Sequence, residues 1–320
     1  MFSKRIFLLA VCVKLQCALA LQADELSNRL QPIIQQHEGT VAVYVKNLTT
    51  GETFQHQADH PQPTASLIKL PVMIETYRQA AAGQVNLDAK IVLNESDKVP
   101  GSGILTTHFS AGTEISLRDA VQLMIAFSDN TATNLVLDQI GLKSTAETME
   151  KLGLPQTKIH AKVFRRDTSV YPERSQQFGL GSTTAAEMGD LLERLHQGKI
   201  VSPEACQTML DHLLTCDDRT KFVRFLPLGT KVAHKTGAVS NARTDAGIIY
   251  SPAAPIVLCV LTNDNADRSW SDDNAANLLC ANIAKEVFAC FNSDDNSSNT
   301  AEATLAVGAM SRLVKICSEP

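Results

Sequence analysis

Strand-like segments at the two ends of the chain constrain its fold more than any other feature. Two of them, residues 40–48 and 51–56, come early and are separated by a short turn. Three more, residues 230–237, 243–251 and 255–263, follow one another late in the chain. Short connections join antiparallel neighbours, because a parallel crossover needs about a dozen residues or more. The pattern predicts an antiparallel sheet whose strands come from both chain ends.

A helical block separates the two groups of strands. Apolar residues recur there with helical spacing, which predicts helices at residues 66–82, 116–127, 131–140, 144–152 and 184–197. Two more helices are predicted at residues 25–37 and 271–291. The block is therefore expected to form its own layer of helices.

This order of elements predicts the domain organisation. Residues 21–64 and 222–291 are expected to form a discontinuous α/β domain, and residues 65–221 an all-α domain. Residues 292–320 are expected to be a linker and tail, because the Asp-, Asn-, Ser- and Thr-rich stretch at their start cannot support a core and predicts disorder.

The charge of the chain excludes some classes of partner. It has 320 residues, of which 44% are hydrophobic and 20% charged, and a formal net charge of −5. Its Lys and Arg residues are scattered, with no run longer than two, so there is no basic stripe for nucleic-acid phosphates and no polybasic patch for a membrane surface. We expect a small-molecule substrate, no nucleic acid, no membrane span and a monomer.

The first 20 residues have the pattern of an export signal. Lys4 and Arg5 precede the apolar run IFLLAVCV, and Ala18-Leu19-Ala20 is a small-x-small cleavage site. The run is much shorter than the roughly 20 residues that span a bilayer. We therefore expect an exported protein, either periplasmic or secreted.

An exported location permits disulfides. Cys206 and Cys216 are the candidate bridge, and the alternative is that both pack as free thiols.

Ser66 and Lys69 lie three residues apart in TASLIKLP, residues 64–71, where an apolar helical stretch begins. This spacing places both side chains on one helix face. A buried lysine with a lowered pKa can accept the proton of the serine hydroxyl. Taken alone, the pair is equally consistent with Ser66 as the N-cap of the helix and Lys69 as a solvated helix residue.

Two further motifs follow in order. FSDNTATN, residues 127–134, contains Ser128 and Asn130 around an aspartate that can cap a helix. HKTGAV, residues 234–239, places Lys235 and Thr236 on a strand whose next residue is a glycine, so that a ligand can approach the backbone closely. Alone, each motif would be only a helix start or an edge strand.

Together the motifs S-x-x-K, S-D-N and K-T-G resemble those of the penicillin-recognising serine enzymes. The longer stretch SDNTATNLVLDQIG is most similar to class A β-lactamases, and the resemblance covers roughly residues 25–291. It implies an α+β fold of the β-lactamase/transpeptidase type, with a five-stranded antiparallel sheet flanked by helices plus an all-helical domain.

The resemblance also implies roles for the motif residues. Ser66 would attack the lactam carbonyl, and its own N–H and that of Ala238 would stabilise the oxyanion. Lys69 would accept or relay the proton of Ser66. Ser128 would pass a proton to the leaving lactam nitrogen, helped by Lys235.

Other residues would bind the substrate. Asn130 would hydrogen-bond the acylamino side chain. Lys235, Thr236 and Arg243 would bind the substrate carboxylate, and Arg243 in NARTD is similar to the arginine of "TRND"-type members.

The loop that should carry the water-activating glutamate departs from the family. Class A enzymes place this residue in an E-P-x-L-N setting, which is not intact here. Counting from LGLPQTKI, residues 152–159, places Val163 at that position, whereas counting back from STTAAEM, residues 182–188, places Asp167 near it. Matching YPERS to the motif places Tyr171 there. None of these residues is a glutamate.

Asp167 and Glu173 are the carboxylates of the loop core and therefore the candidate bases. The alternative is that they are exposed acids paired with neighbouring arginines. Two functions follow: an exported β-lactam hydrolase, or a slow-turnover protein that binds or senses penicillin or resembles a peptidase or esterase acting on peptidoglycan-type substrates.

No cofactor is expected. His56 and His60 are four residues apart, but the loop composition between them argues against a metal site.

Overall fold

The computed structural model describes residues 25–293. The predicted export signal at residues 1–20 and the part of the predicted linker and tail after residue 293 lie outside the described residues. The strands are β1 (Thr40–Asn47), β2 (Thr53–His56), β3 (Gln62–Pro63), β4 (Lys90–Val92), β5 (Glu114–Ser116), β6 (Lys158–Ile159), β7 (Gly181–Thr183), β8 (Lys231–Val239), β9 (Ala242–Tyr250) and β10 (Pro255–Asn263). The helices are α1 (25–35), α2 (Lys69–Ala81), α3 (Leu105–His108), α4 (Leu117–Ala126), α5 (Asn130–Ile140), α6 (Leu142–Lys151), α7 (Pro172–Phe178), α8 (Ala185–His196), α9 (Pro203–Leu214) and α10 (Ala275–Phe291).

The main sheet has the strand order β2-β1-β10-β9-β8, and every neighbouring pair is antiparallel. Strand β1 from the start of the chain pairs with β10 from its end, with Val43 opposite Val260. The expected α+β fold with a five-stranded antiparallel sheet is confirmed.

Both faces of the sheet are buried, which explains why its strands are apolar throughout rather than alternating. On one face, Val41 and Val43 pack in a cluster with residues of α1 and α10. On the other, Ala42 and Tyr44 pack with residues of the helical block. Helix α8 comes very close to the sheet at Gly189, where an added Cβ would lie 2.2 Å from the ring of Tyr44.

Two expectations need correction or completion. Cys206 and Cys216 do not form a disulfide: both are free thiols, because Cys206 packs in the helical core and Cys216 faces His234 instead. Helices α3, α7 and α9 were not predicted, although Ser202 caps α9 and Pro203 occupies its first turn.

Within residues 25–293, no helix is both long and apolar enough to cross a membrane.

Candidate active site

Ser66 lies on a short 3-10 helix, Ala65–Ile68, that runs directly into α2 at Lys69. A 3-10 helix has three residues per turn, so the side chains of Ser66 and Lys69 project in the same direction. Ala65 has a φ of +47°, an uncommon conformation for a residue with a side chain, and such strain is concentrated at functional sites. The hydroxyl of Ser66 forms no hydrogen bond with any residue in the described part of the chain.

Lys69 is fully buried, and its amine lies at the centre of the motif residues. Its Nζ donates to Ser128 O at 2.6 Å and to Asn130 Oδ1 at 2.9 Å, and lies 3.2 Å from Ser128 Oγ. Burial, together with the positive charge of Lys235, holds the pKa of Lys69 well below its ordinary value, although Asp129 opposes the shift. The amine is therefore suited to accept a proton.

Ser128 connects the two lysines. It lies between α4 and α5 with a φ of +52°, and its Oγ accepts a hydrogen bond from Lys235 Nζ at 3.0 Å. When Lys69 is neutral, the Ser128 hydroxyl can donate to its lone pair while Lys235 donates to Ser128. This arrangement is a path along which a proton taken from Ser66 can reach a leaving group beside Ser128.

Asp129 holds this segment in place. One of its carboxylate oxygens accepts from the backbone N–H of Ala132 at 2.8 Å and so caps α5. The other accepts from Ile104 N at 2.7 Å and Leu105 N at 2.9 Å. A side chain at Gly103 would collide with this carboxylate, because an added Cβ would lie 2.3 Å from its Cγ. The S-D-N segment is thereby joined to the loop that carries PGSG.

Gly237 brings β8 against the backbone of the 3-10 helix. A Cβ added there would lie 2.4 Å from Thr64 O and 2.9 Å from Ser66 N. The backbones at Ser66 and at residues 237–238 are therefore adjacent, which is the placement that a pair of oxyanion donors from Ser66 and Ala238 requires. Only glycine allows this approach.

A cavity of about 330 Å³ opens beside these groups. The PGSG loop, residues 100–103, forms one wall, with Ser102 Oγ donating to Ser128 O at 2.8 Å. Lys235 and Thr236 form another wall. The cavity is lined by Ser102, Gly103, Ile104, Ala126, Phe127, Ser128, Cys216, Asp217, Asp218, Lys235 and Thr236.

Arg243 is held apart from this cavity. Its guanidinium donates to the backbone carbonyls of Val239 and Ala242 and, at 2.6 Å, to that of Ser269. The guanidinium also lies over the ring of Trp270, 4.9 Å from its centroid, and the residue is only 2% exposed. A role in binding a carboxylate stays a prediction that requires these contacts to change.

Val163 is the loop residue whose backbone is hydrogen-bonded to helix α5. The side-chain amide of Asn134 donates to Val163 O at 3.0 Å and accepts from Val163 N at 2.8 Å. Asn134 lies one turn after Asn130 on α5, on the same face. Of the three sequence positions considered for the glutamate, Val163 is thus the one joined by hydrogen bonds to α5, the helix that carries Asn130, and its side chain is buried and has no ionisable group.

The two loop carboxylates lie elsewhere. Asp167 is on an exposed 3-10 turn, Arg166–Thr168, and Glu173 is in the first turn of α7, also exposed. Neither forms a hydrogen bond or an ion pair with another described residue. They are exposed acids, as in the alternative, but without the arginine partners that it included: Arg165 donates to Ser96 O and Arg174 to Ser182 Oγ.

Tyr171, the third position considered, packs edge-on against His160 with ring centroids 6.3 Å apart.

Sequence patterns did not reveal two parts of the site. Asn134 ends the motif FSDNTATN, but no role was predicted for it, because its contact with Val163 spans 29 residues. Cys216, Asp217 and Asp218 line the cavity although no motif contains them. Their only sequence signal is their position in the segment between helical and strand-like regions.

Comparisons with known proteins show what the chain is similar to. The model of the β-lactamase enzyme family matches residues 25–291. A β-lactamase from Streptomyces cellulosae is 26% identical over 267 residues, covering 82% of this chain and 84% of the relative.

Solved structures show the same fold. The crystal structure of a β-lactamase from Sphaerobacter thermophilus superposes with a TM-score of 0.73 at 30% identity, covering 83% of this chain and 96% of that one. A mutant of PBP-A, solved as an acyl-enzyme complex with penicillin G, superposes with a TM-score of 0.73 at 23% identity, covering 84% and 96% of the two chains. The second likeness shows the fold alone.

Proposed function

Because the chain belongs to the β-lactamase enzyme family, we propose that it is a class A-type serine hydrolase that opens the β-lactam ring. In this proposal Ser66 attacks the lactam carbonyl and forms an acyl-enzyme. The observation that supports it most is the contact of one neutralisable amine, Lys69, with both Ser128 and Asn130. The developing oxyanion is stabilised by the backbone N–H groups of Ser66 and Ala238.

The acylation step follows from the hydrogen bonds of the cluster. Neutral Lys69 takes the proton of Ser66 as the carbonyl carbon is attacked. Ser128 passes a proton to the lactam nitrogen as the ring C–N bond breaks and is resupplied through Lys69. Lys235 Nζ donates to Ser128 Oγ and so stabilises negative charge that develops on this oxygen.

Hydrolysis of the acyl-enzyme is proposed to be slow. Attack of water on the ester needs a base within hydrogen-bond reach of that water. Val163 lies beside the lysine cluster and cannot be that base, while Asp167 and Glu173 are exposed and make no contact with the cluster. The family fold and the acylating residues are retained, whereas the residue that speeds the second step is not.

A second candidate is favoured by the same observation. A buried valine beside the catalytic helix suits a penicillin-binding, sensing or peptidoglycan peptidase-like protein, whose β-lactam adduct is long-lived. Such a protein would take an acyl-peptide as its own substrate. Turnover of an acyl-peptide substrate distinguishes this candidate from the β-lactam hydrolase, because slow release of penicillin is expected of both.

The acylation proposal is tested by labelling with a fluorescent penicillin. We expect covalent labelling that maps to Ser66, that Ser66→Ala abolishes, and that Lys69→Ala slows by about 10²–10⁴-fold. Circular dichroism of both variants serves as the control for folding. Label on any other residue, or an unchanged rate in Lys69→Ala, would contradict the assignment.

We also propose that residues 1–20 direct export and are removed, and that the mature protein acts as a monomer outside the cytoplasm. Amino-terminal sequencing of the protein recovered from the periplasm or medium tests this. A mature chain that begins at residue 21 is expected, and an intact signal on cytoplasmic protein would contradict the proposal.

A further inference from the structure

Three ionisable side chains lie in a row beside the cleft and have no part in the proposed reaction. They are Cys216, which follows α9, His234 on β8 and Asp245 on β9. His234 Nδ1 donates to Asp245 Oδ1 at 2.9 Å, and both side chains are buried. The thiol of Cys216 also interacts with the His234 side chain.

The imidazole of His234 is fixed in position. Asp245 holds it from one side, and the ring of Phe222 stacks on it with centroids 6.4 Å apart. Asp245 is itself held by the backbone N–H of Phe222, which donates to Oδ2 at 3.1 Å. Within residues 25–293, His234 Nε2 has no hydrogen-bond partner of normal geometry, although it is buried. A proton on this nitrogen is therefore available to a group at Cys216.

Cys216 is 7% exposed and lies in the wall of the cleft. It lines the same cavity as Ser128, Lys235 and Thr236. The hydrogen bond from Asp217 N to Ala126 O, at 3.0 Å, holds its segment against the end of α4. By contrast, Cys206 is 1% exposed and packs in the helical core.

The charges around Cys216 favour its thiolate. Burial alone would raise the pKa of the thiol, but the charge and hydrogen bond of His234, with the charge of Lys235, bring it down to about 7, against the opposing charge of Asp245. Asp218 and Lys221 also lie near and form an ion pair at 2.6 Å. Thiolates beside a cationic histidine are the reactive form of cysteine.

We propose that Cys216 is a covalent modification site for low-molecular-weight disulfides, and that an adduct there closes the substrate cleft. The site consists of the Cys216 thiolate, the buried imidazolium of His234 that stabilises it, and the cavity through which the reagent arrives. Lys235 and Thr236 stand on the wall of that cavity, so an adduct occupies the space that a substrate carboxylate would need.

The proposed modification is a thiol–disulfide exchange at Cys216. The Cys216 sulfur attacks one sulfur of the small disulfide, a new S–S bond forms, and the original S–S bond breaks. The second half of the reagent leaves as a thiolate and takes a proton from solvent. A thiol reductant reverses the reaction and restores the free Cys216.

Labelling of the full chain tests the site without any β-lactam. The probe is methyl methanethiosulfonate, with the modified residue identified by peptide mapping. We expect Cys216 to react and Cys206 not to react. Cys206→Ser, the matched control, should leave the rate at Cys216 unchanged.

His234→Gln should slow the reaction of Cys216 about fivefold at pH 6. Raising the thiol pKa from about 7 to an ordinary value near 8.5 lowers the fraction of Cys216 present as thiolate about 30-fold at pH 6. The higher nucleophilicity of the remaining thiolate offsets part of this loss. No modification of Cys216 in the folded wild-type protein, or an equal rate in His234→Gln, would overturn the proposal.

Closure of the cleft is tested separately and rests on the proposed acylation of Ser66. Treatment with oxidised glutathione should reduce penicillin labelling at least tenfold, and dithiothreitol should restore it. Cys216→Ser should be insensitive to the reagent. If Cys216 carries glutathione while labelling is unaffected, the closure is wrong. If untreated protein is not labelled at all, the proposed function fails and the mapped modification of Cys216 still stands.

Discussion

The side-chain amide of Asn134 holds the backbone of Val163 from both sides, with hydrogen bonds of 2.8 and 3.0 Å. This pair fixes an apolar residue beside the helix that begins with Asn130, to which Lys69 donates. The acylating residues are therefore close to a position where a base could act on the acyl-enzyme, but that position holds a valine. The main consequence for function is slow hydrolysis of the acyl-enzyme.

Replacing Val163 by glutamate should speed release. A carboxylate at this position would be close to the Lys69 cluster and could activate a water for attack on the ester, which is worth about 10²-fold or more. The rate is measured as loss of the penicillin adduct after excess antibiotic is removed. Val163→Gln is the matched control, because it adds the same volume without a base. Equal release rates in the two variants would show that the position does not reach the ester.

The exposed loop carboxylates should be dispensable. Asp167→Asn and Glu173→Gln should each change both acylation and release by less than about twofold, because surface charges with no partner contribute little. Single-turnover kinetics with benzylpenicillin separate the two steps. A stalled adduct in either variant would instead identify that residue as the water-activating base.

Lys235→Ala should move the pH dependence of acylation. Lys69 must be neutral to accept the proton of Ser66, and the positive charge of Lys235 helps to lower its pKa. Without that charge the pKa of Lys69 rises, so the acid limb of the acylation rate should shift to higher pH. At neutral pH the rate should fall by about 10²-fold or more, since Ser128 also loses a donor.

Stopped-flow acylation across a range of pH measures this shift. Lys231→Ala is the control, since Lys231 is an exposed lysine on the same strand. A lower rate with an unmoved acid limb would mean that Lys235 acts only through Ser128.

The buried pair of His234 and Asp245 should make stability depend on pH. Burial alone would lower the pKa of His234, but the charges of Asp245 and Cys216, with the hydrogen bonds that both make to the imidazole, raise it to about 10 in the folded protein. A raised folded pKa gives stability that is complete below the unfolded value of about 6.5 and is lost as pH rises through about 10. Asp245→Asn should therefore cost about 3 kcal/mol at pH 6 and less at pH 10.

Urea unfolding at the two pH values measures this difference. Asp88→Asn is the control, since Asp88 pairs with Arg118 at the surface with its side chain 76% exposed. A cost for Asp245→Asn that is the same at both pH values would contradict the assigned charge on His234.

The sequence predicted the parts of this protein that depend on local pattern. The paired strands and most long helices follow from periodicity, and Ser66, Lys69, Ser128 and Lys235 follow from motifs whose chemistry requires those residue types. The place of Val163 could not be decided from local sequence, because three countings of the loop disagreed and the deciding contact comes from Asn134 on another element. The pairing of Cys216 with His234 likewise depends on how a connecting segment crosses the sheet.

The most direct test of the account is intact mass spectrometry of the wild-type protein after mixing with benzylpenicillin, followed over minutes. We predict that the acyl-enzyme on Ser66 becomes the main species and then declines slowly as free enzyme returns. Rapid consumption of the antibiotic with no accumulating adduct would contradict the account, because it would require an efficient water-activating base that the site around Val163 does not provide.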